Sequence, residues 1–554
     1  MVERNVSRNM TVNIIGAGLA GLSAALTLAK LNIACNLVSL QPSERAQSVL
    51  AAGGINGALD TMGENDTVRE HISDTMRAGG YISDEGAVTD IAEHAPDIIR
   101  ELAGLGVPFH SEGSRLILRN FGGQKKKRTA FAKSSTGRMI MTALIDEARK
   151  YEANGIIRRY AHHEFIKLIQ KEAVCCGAWI RDTYAAGEQT PICLLGPVIL
   201  AVGGMNGIFP EMTTGTTANS GDAVAAVFRQ GVMLSNLEMI QYHPTTIAIA
   251  GKRCLISEAA RGEGGRLYIR RNHEKWYFME DRYPELGNLM PRDVVSKEMD
   301  FCLRNTECEP PVYLDMTGIS KEIWKSRLSD LRDELIYYLS IDPAKSPIPV
   351  SPGIHYFMGG IDVDRSHATG MPGLFAAGEC CSQYHGANRL GGNSLLGAIY
   401  GGKRAALSTA EYVSSGGAEE ILYQHAYHEA QNSLKDMEHV SSGLAVSEKL
   451  KNKIRDILSG AMGIVRNEKS LEKALYELNE LEGEDLTERE QNRVLLARAI
   501  LLSAIHRRES RGAHFREDYP AQDPKYQGLV TALFDGKQIK VGLKQSTIGA
   551  EGHK

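Results

Sequence analysis

The alternation of apolar runs and glycine turns at the start of the chain predicts a strand–helix–strand unit. The β-branched run TVNII at 11–15 predicts a strand, the Ala/Leu-rich LSAALTLAKL predicts a helix, and ACNLVSL predicts a second strand. Gly16, Gly18 and Gly21 stand at the turn between the first strand and the helix, in the pattern G-x-G-x-x-G. Glycines at this turn let the backbone approach a pyrophosphate, whose charge sits at the helix N-terminus. The pattern therefore predicts a dinucleotide-binding unit.

Two later apolar runs end in glycine in the same manner. They are ILAVGGMNG at 199–207 and GLFAAGECC at 373–381, and each predicts a short strand followed by a glycine turn. Because they lie far from the first unit, we expect one nucleotide-binding domain that an inserted domain interrupts. After Ala406 the pattern becomes helical and strongly charged, which predicts a helical domain.

These patterns together predict an α/β protein with several domains, since 554 residues are too many for one hydrophobic core. We place a Rossmann-like dinucleotide-binding domain at 1–232 and 349–406, and an α+β capping domain at 233–348. A helical domain follows at 407–534. The Gly/Lys-rich residues 535–554 are expected to form an extended or mobile tail.

Composition and charge narrow the range of functions. The formal net charge of -4 provides no electrostatic footprint for nucleic acid or for an anionic membrane. No apolar run has the length that a membrane-spanning helix needs. The first ten residues, MVERNVSRNM, lack the apolar core of a secretory signal. We therefore expect a cytoplasmic protein, which partner subunits could hold at the inner face of a membrane.

The nine cysteines do not form a metal-binding pattern. There is no C-x-x-C pair and no C-x-x-C-H haem attachment sequence, so we expect no iron–sulfur cluster, zinc or haem bound by this chain alone. The adjacent pairs at 175–176 and 380–381 rarely suit disulfide geometry, and free thiols are expected there.

Five polar clusters, most of them rich in glycine, carry the candidate chemistry. Arginine grips a carboxylate with two parallel hydrogen bonds, and histidine and serine add single donors, so the set suits a small anion with two carboxylates. The clusters are QYHPT at 241–245, SEAARGEGG at 257–265, PRD at 291–293, HYFMGG at 355–360 and HGANRLGGNSL at 385–395.

These clusters, in this order, resemble the flavoprotein subunit of succinate dehydrogenase and fumarate reductase, a family that also contains L-aspartate oxidase. The resemblance covers nearly the whole chain, from IIGAGLAGLSAA through AAGGINGAL and FGGQKKKRTAF to ESRGAHFREDYP at 509–520. It implies an FAD-binding domain with a capping domain and a C-terminal helical domain. It also implies FAD as the cofactor, and fumarate or succinate as the substrate.

The resemblance further implies a role for each matching residue. For the cofactor, it assigns Gly16, Gly18 and Gly21 to the pyrophosphate, Ser39, Asp222 and Glu379 to the ribose and ribityl groups, and Ser48, Gly53, Gly54, Ser394 and Leu395 to the flavin end. For the substrate, it assigns His243, Ser257, His355 and Arg389 to the carboxylates, Arg292 to proton donation, and Glu258 and Arg261 to proton delivery. Ser39 stands where the general dinucleotide pattern has an acidic residue, and the family shares this departure.

One departure from the family concerns the attachment of the flavin. The membrane-bound members attach FAD covalently to a histidine in the sequence Arg-Ser-His-Thr, and this chain has Arg45-Ala46-Gln47-Ser48 in its place. Gln47 has no imidazole, so we expect the FAD to be held noncovalently. Without the covalent bond, which raises the flavin potential, the flavin is the better reductant, and fumarate reduction is the expected direction.

Two other functions compete with fumarate reduction. L-Aspartate oxidase carries a glutamate near position 121 for the substrate ammonium, where this chain has Asn120-Phe121-Gly122-Gly123, and Phe121 favours fumarate. The third hypothesis, a catalytically silent FAD-binding assembly subunit, is opposed by the full set of Arg and His positions. The basic run Lys125–Arg128 is interpreted as a solvated loop or as part of an electropositive approach to the site rather than as a nucleic-acid-binding segment.

The electrons for the reaction have to come from outside the chain. The sequence contains no haem site, no cluster motif and no fused flavin-carrying domain. An iron–sulfur partner subunit is the expected source.

Overall fold

The computed structural model describes residues 10–133, 135–184, 191–249, 251–418, 420–437, 446–481 and 484–546. Residues 1–9, on which the expectation about a secretory signal rests, and the last eight residues of the predicted tail lie outside this description.

The elements of the first 232 residues are β1 (Val12–Ile15), α1 (Leu19–Lys30), β2 (Cys35–Ser39), β3 (Ile55–Asn56), α2 (Val68–Ala78), α3 (Glu85–Gly104), β4 (Ser111–Glu112), β5 (Arg115–Leu116), β6 (Leu118–Arg119), β7 (Thr129–Ala130), α4 (Thr136–Ala153), β8 (Ile157–Ala161), β9 (His163–Lys171), β10 (Val174–Asp182), β11 (Ile192–Leu195), β12 (Val198–Leu200) and α5 (Asp222–Arg229).

The elements continue through the inserted region and back into the nucleotide-binding part. They are β13 (Leu234–Ser235), β14 (Ile240–Ile249), β15 (Lys252–Leu255), α6 (Ala259–Gly262), β16 (Arg266–Arg271), β17 (Glu274–Trp276), α7 (Phe278–Arg282), α8 (Arg292–Arg304), β18 (Cys308–Asp315), α9 (Lys321–Ser326), α10 (Ser329–Leu339), β19 (Ile348–Phe357), β20 (Gly360–Asp362), β21 (Leu374–Ala376), β22 (Cys381–Ser382) and α11 (Asn393–Ser414).

The C-terminal part combines helices with short strands. Its elements are α12 (Glu420–Met437), α13 (Glu448–Ala461), β23 (Val465–Arg466), α14 (Glu468–Glu480), α15 (Glu488–His506), β24 (Phe515–Arg516), β25 (Gly528–Phe534) and β26 (Ile539–Gln545).

A parallel five-stranded sheet in the order β21–β12–β1–β2–β8 forms the core of the nucleotide-binding part. Its strands are short, and all but the edge strand β8 are fully buried, as expected for a parallel sheet that is covered on both faces. The helix α1 packs on α11 on one face. The predicted strand–helix–strand unit is confirmed. The two distant strands are confirmed as well: β12 pairs with β1, and β21 pairs with β12. The ends of these strands therefore meet at one edge, which is where an α/β sheet binds its ligand.

A separate antiparallel sheet supports the inserted region. Its order is β15–β14–β19–β18–β16–β17, and its apolar side chains form their own core with α7, α8 and α10. The strands β14 and β19 pair directly and carry QYHPT and HYFMGG, so the two clusters become neighbours although they are more than a hundred residues apart in the chain.

The structure places continuous elements across two of the predicted domain limits. The limit between residues 348 and 349 falls within β19, and the limit between residues 406 and 407 falls within α11. The strands β25 and β26, which lie on either side of the limit between residues 534 and 535, join β13 and β20 in a further sheet. Residues 539–545 of the predicted tail thus form a strand that is paired along its whole length. The domain limits themselves stay a prediction.

Candidate active site

One continuous cavity of about 1160 Å³ runs from the edge of the parallel sheet to the capping sheet. Most residues that the sequence assigned to the cofactor or to the substrate line it. They are Gly16, Gly18, Ser39, Ser48, Gly53, Gly54, Phe121, Asp222, His243, Ser257, Glu258, Arg292, His355, Glu379, Arg389, Ser394 and Leu395. Gly21 and Arg261 lie behind the wall. A Cβ at Gly21 would stand 1.8 Å from the Gly16 carbonyl oxygen, so this glycine permits close packing of α1 on its own strand.

The sheet end of the cavity has the features that a dinucleotide needs. Gly16 has φ +115°, and a Cβ there would lie 2.1 Å from the Ala201 carbonyl oxygen, so no other residue fits the turn. Gly18 precedes the first turn of α1 and has no side chain to cap it. The buried hydroxyl of Ser39 has no hydrogen-bond partner among the described residues. An open helix N-terminus and an unpartnered hydroxyl fit the pyrophosphate and ribose of FAD.

A second helix N-terminus faces the middle of the cavity. Gly392 precedes α11 with φ +85°, and Ser394 and Leu395 form its first turn without a side-chain cap. Glu379 lies nearby and accepts a hydrogen bond from the Phe357 backbone N–H at 3.1 Å. Burial raises the pKa of Glu379 to about 7, so its carboxyl group is available as a donor as well as an acceptor near neutral pH. These groups fit the polar edge and the ribityl chain of a flavin.

Asp222 makes ion pairs that the sequence did not predict. Its carboxylate oxygens pair with Arg489 at 2.7 Å and with Arg493 at 2.6 Å. Burial alone would raise its pKa, but the two guanidinium groups outweigh burial and lower it. Arg489 also lines the cavity. No sequence signal distinguished these two arginines, because they lie in the charged helical pattern that predicts α15.

A bulge in β14 directs side chains into the end of the cavity beside the capping sheet, which we call the substrate end. The pairing of β14 with β19 shifts between His243 and Thr246, around Pro244, which cannot donate a ladder hydrogen bond. The rings of His243 and His355 approach each other edge to face, with centroids 5.3 Å apart. Thr214 Oγ1 lies 2.7 Å from His355 Nδ1. Burial and the neighbouring arginines hold the pKa of both histidines well below the ordinary range, so both are neutral at pH 7.

Glu258 lies between two arginines. Its Oε2 accepts hydrogen bonds from Arg292 Nη2 at 2.6 Å and Nε at 3.0 Å, and its Oε1 accepts one from Arg261 Nη2 at 2.9 Å. The expected helical proximity of Glu258 and Arg261 is confirmed, since α6 begins directly after Glu258. Burial would raise the pKa of Glu258, but the two guanidinium groups lower it overall. Glu258 therefore stays ionised and fixes the orientation of Arg292.

Gln241 joins the two arginines that face the cavity. Its amide oxygen accepts hydrogen bonds from Arg292 Nη1 and from Arg389 Nη2, both at 3.0 Å. Its amide nitrogen donates to Asn388 Oδ1 at 2.7 Å and to the Arg389 carbonyl oxygen at 2.9 Å. The sequence placed Gln241 in a cluster but gave it no role. A neutral amide holds both guanidinium groups without cancelling their charge.

The substrate end has more positive than negative charge, and some of its donors are unpartnered. The hydrogen-bonded network contains the three guanidinium groups of Arg261, Arg292 and Arg389 and one carboxylate, that of Glu258, to which Arg389 is linked through Gln241 and Arg292. Among the described residues, His243 Nε2 and Arg389 Nε have no hydrogen-bond partner although both are buried. Buried donors are normally paired, so these two indicate a ligand with acceptor oxygens. An excess of two positive charges fits a dicarboxylate.

Phe121 forms part of the cavity wall. It is buried, and a Cβ at Gly53 would lie 3.1 Å from its ring. The backbone N–H of Gly122 donates to Glu258 Oε1 at 3.2 Å. The Phe121 loop thus connects the wall beside Gly53 to Glu258.

The interpretation of the basic run as a solvated loop is wrong for Arg128. Its side chain is fully buried and forms ion pairs with Asp66 at 2.9 Å and with Asp74 at 3.0 Å. Lys127 pairs with Glu64 at 2.9 Å. The acidic partners lie about 50 to 65 residues earlier in the chain, in and before α2. The basic run by itself therefore gave no sign of these ion pairs.

Gln47 makes a structural contact in the position of the family's histidine. Its side-chain oxygen accepts a hydrogen bond from the Thr216 backbone N–H at 2.6 Å.

No helix within the described ranges is both long and apolar enough to cross a membrane. Those ranges also contain no group of three or more His, Cys, Asp or Glu side chains that could hold a metal ion.

The fold and this cavity define an FAD-dependent oxidoreductase. A family model described as an FAD binding domain matches residues 11–395, and one described as the C-terminal part of the fumarate reductase flavoprotein matches residues 486–550. The chain belongs to the succinate dehydrogenase and fumarate reductase flavoprotein family, and the resemblance found in the sequence is confirmed.

Individual relatives agree with this assignment over almost the full chain. The succinate dehydrogenase flavoprotein subunit of Bacillus subtilis is 35% identical over 540 residues, which cover 93% of this chain and 92% of the relative. The 8-methylmenaquinol:fumarate reductase flavoprotein subunit of Wolinella succinogenes is 33% identical, covering 97% and 90%. A solved structure of E. coli quinol fumarate reductase FrdA is similar with a TM-score of 0.87 and 26% identity, covering 98% and 97%.

Proposed function

We propose that this protein reduces fumarate to succinate with a noncovalently bound FAD. The observation that supports this most is the excess of two positive charges at the substrate end, combined with the unpartnered donors His243 Nε2 and Arg389 Nε. Fumarate is a small dianion with carboxylates at both ends, and it would supply the missing acceptors and balance the charge.

The binding groups would hold the two carboxylates while the alkene stays between them. Arg389 offers a planar pair of donors, and its charge is not shared with any carboxylate within ion-pairing distance among the described residues. His243 and His355 are neutral and donate single N–H groups. Ser257, which is buried in the same wall, adds a hydroxyl. Fixed carboxylates let the alkene be polarised in one direction.

Arg292 would donate the proton that completes the reduction. FAD, when bound, supplies the hydride, since no side chain can. Arg292 is held by Glu258 on two nitrogens and by Gln241 on the third, so its orientation toward the cavity is fixed. Glu258 and Arg261 form the hydrogen-bonded path that returns a proton to Arg292. Release of a proton by an arginine is unfavourable in water and requires this rigid, positive, water-poor site.

Phe121 favours fumarate over L-aspartate, the substrate of the related oxidase. A desolvated ammonium group needs an anion or several acceptors, and Phe121 offers neither. The face of its ring would attract a cation by only about 1 kcal/mol. The flat alkene of fumarate can pack against the same ring.

The substrate assignment is tested by anaerobic reoxidation of the dye-reduced enzyme. Fumarate should reoxidise the flavin rapidly, and L-aspartate should leave the oxidised flavin unbleached. The Phe121→Glu variant should lose fumarate turnover because its carboxylate repels the dianion, whereas Phe121→Leu should retain most of it. Flavin reduction by L-aspartate at a rate comparable to fumarate turnover would move the assignment to aspartate oxidase.

Gln47 supports noncovalent FAD, because an amide cannot form the bond that a histidine forms. Acid precipitation of the holoprotein should release all of the flavin as FAD, and colour that stays with the precipitate would contradict this proposal. The absence of the bond also favours fumarate reduction over succinate oxidation. The ratio of the two rates with one dye pair of matched potential measures that preference.

An iron–sulfur partner subunit is the proposed electron donor, as in anaerobic respiration. The relatives named above are themselves called subunits, and in the described ranges no cluster of side chains could hold a metal centre. Such a partner would hold this chain at the inner face of the membrane. Iron and acid-labile sulfide that co-purify in a fixed ratio with the FAD of the native protein would support the assembly, and their absence would contradict it.

A further inference from the structure

Arg119 is a buried arginine that lies one backbone layer behind the cavity wall. It ends β6 and is 5% exposed. Its Nη2 donates to the carbonyl oxygen of Gly53, and at longer range to those of Lys133 at 3.2 Å and Ala52 at 3.4 Å. Gly53 and its neighbour Gly54 line the cavity. The guanidinium group therefore lies directly behind the part of the wall assigned to the flavin ring.

Two aromatic rings complete the surroundings of Arg119. Its guanidinium carbon is 4.0 Å from the ring centroid of Phe131 and 5.4 Å from that of Phe121. Phe121 separates it from the substrate end of the cavity. These rings stabilise a cation only partially.

The charge of Arg119 has no anionic partner in the described part of the chain. No carboxylate there lies within ion-pairing distance, and its buried Nε has no hydrogen-bond partner. Among the nearby charged groups, Glu263 is already paired with Arg327 at 3.1 Å. Burial lowers the pKa of Arg119 to about 9, which leaves it cationic at neutral pH.

Arg128 shows what a buried arginine on the same segment does when its role is structural. It is fully buried and pairs with the two carboxylates of Asp66 and Asp74. Burial of a charge without such a partner is costly, so an unpaired cation persists where something else compensates it. For Arg119, the group that can do so lies across Gly53, in the cavity.

We propose that Arg119 tunes the bound FAD electrostatically, its fixed positive charge behind Gly53 and Phe121 favouring the reduced flavin over the oxidised flavin. The inference rests on the proposed placement of the flavin ring at Gly53 and Gly54. When the oxidised ring takes up two electrons and one proton, it gains one negative charge. A cation held nearby in a water-poor wall stabilises that charge and raises the reduction potential.

The test is the midpoint potential of the bound FAD, measured against a reference dye without any substrate. Arg119→Met removes the charge and retains the bulk, and should weaken the binding of reduced FAD relative to oxidised FAD at least tenfold. For a two-electron couple, that corresponds to a potential about 30 mV more negative. Arg119→Lys keeps the charge and should stay close to the wild type. The control is Arg115→Met, which changes an exposed arginine on the preceding strand β5 and should not shift the potential.

Two outcomes of the potential measurement would overturn the proposal. One is an Arg119→Met potential equal to or above that of the wild type; the other is an equal negative shift in Arg119→Lys, which would assign Arg119 a purely geometric role. If Arg119→Met does not retain FAD, Arg119→Gln supplies the measurement, since its amide can still donate to Gly53. Loss of FAD from both neutral variants but not from Arg119→Lys would make Arg119 a cofactor-binding residue instead. Because the measurement uses no fumarate, it is independent of the outcome of the substrate test.

Discussion

This protein has two buried arginine clusters that are built differently. The substrate-end cluster consists of Gln241, Glu258, Arg261, Arg292 and Arg389. The C-terminal cluster consists of Glu238, Arg466, Arg507, Glu509 and Arg511, together with His514. Glu238 lies in the turn before β14 and Gln241 lies in β14, so the two clusters are connected by a segment of only three residues.

The arginines of the C-terminal cluster use their donors within the protein. Arg507 donates from Nε to Glu238, from Nη1 to Glu509 and the Tyr526 carbonyl, and from Nη2 to the Gly528 carbonyl, all between 2.7 and 3.0 Å. Arg389 at the substrate end leaves its Nε unpartnered among the described residues and donates from Nη2 only to Gln241. The comparison shows that arginine burial alone does not identify a binding site. At the substrate end the distinction comes from unpartnered donors on residues that also line the cavity, since the described part of the chain leaves two nitrogens of the structural Arg128 unpartnered as well.

The largest effect should come from Arg292→Lys. A lysine cannot make the two contacts to Glu258 and the third to Gln241 at once, so the proton donor would lose its fixed position. We expect fumarate turnover to fall at least about a thousandfold, which is ~4 kcal/mol of activation free energy. FAD content and thermal unfolding should not change.

The matched control for this variant is Arg304→Lys, at the exposed end of the same helix α8, where the arginine pairs with Asp300. It should retain full activity. Retention of more than a tenth of the rate by Arg292→Lys, with unchanged FAD content, would remove Arg292 from the proton-donor role.

Arg507→Met should have the opposite profile, a loss of stability without a specific loss of catalysis. It leaves the buried carboxylate of Glu238 without its ion-pair partner and removes one of the two arginines that pair with Glu509, the other being Arg511. Breaking a buried ion pair on one side costs about 3–5 kcal/mol. The free energy of unfolding in urea should fall by about that amount, while the folded, FAD-loaded fraction keeps a turnover number near that of the wild type.

Arg508→Met is the control for Arg507, since the neighbouring arginine is half exposed and pairs with Glu468 at the surface. Its unfolding transition should match that of the wild type. If Arg507→Met unfolds like the wild type, the C-terminal cluster is not the structural element that its saturated hydrogen bonds indicate.

Gln241→Glu tests whether the charge excess at the substrate end matters. The new carboxylate would pair with Arg292 and Arg389 in nearly the same geometry and cancel one positive charge. We expect the KM for fumarate to rise on the order of tenfold to a hundredfold, since each 1.4 kcal/mol of lost binding is tenfold. Gln241→Met removes the hydrogen bonds without adding charge and should raise KM less. Equal KM values for the two variants would show that geometry, not charge, sets the affinity.

The smallest expected effect is a pH dependence of stability. It distinguishes His243 and His355 at the substrate end from His514 in the C-terminal cluster. Burial, followed by the surrounding arginines, holds the pKa of His514, His243 and His355 well below the ordinary value near 6.5. As the pH falls below about 6.5, the unfolded chain binds protons that the folded chain does not, so the free energy of unfolding decreases. The limiting slope is ~1.4 kcal/mol per pH unit for each histidine.

A bound dicarboxylate should weaken this acid dependence, because its charges compensate protonation of His243 and His355 but not of His514. Urea unfolding of the holoprotein between pH 7 and pH 5, with and without succinate, measures the difference in slope. Identical slopes would indicate that the dianion does not bind beside the two histidines.

Part of the site was predictable because its chemistry depends on local sequence. The turn that contains Gly16 and Gly18 follows from one strand and one helix, and the pairing of Glu258 with Arg261 follows from a single helical turn. Gln241, Arg119 and Arg128 were not predictable, because their roles depend on partners that the fold brings from elsewhere. Arg128 appeared to be part of a solvated basic run, yet its partners lie in and before α2.

The sequence by itself determined the dinucleotide turn, four of the five strands of the parallel sheet and a set of residue types that suits a dicarboxylate, because short-range periodicity and motif order encode these features. Only the tertiary structure decided which buried charges are satisfied. Arg389 and Arg507 are both buried arginines within polar motifs of the same chain, and no local pattern distinguishes their hydrogen-bond partners. That distinction depends on how distant segments pack against each other, since satisfaction of a buried donor is a property of the assembled core.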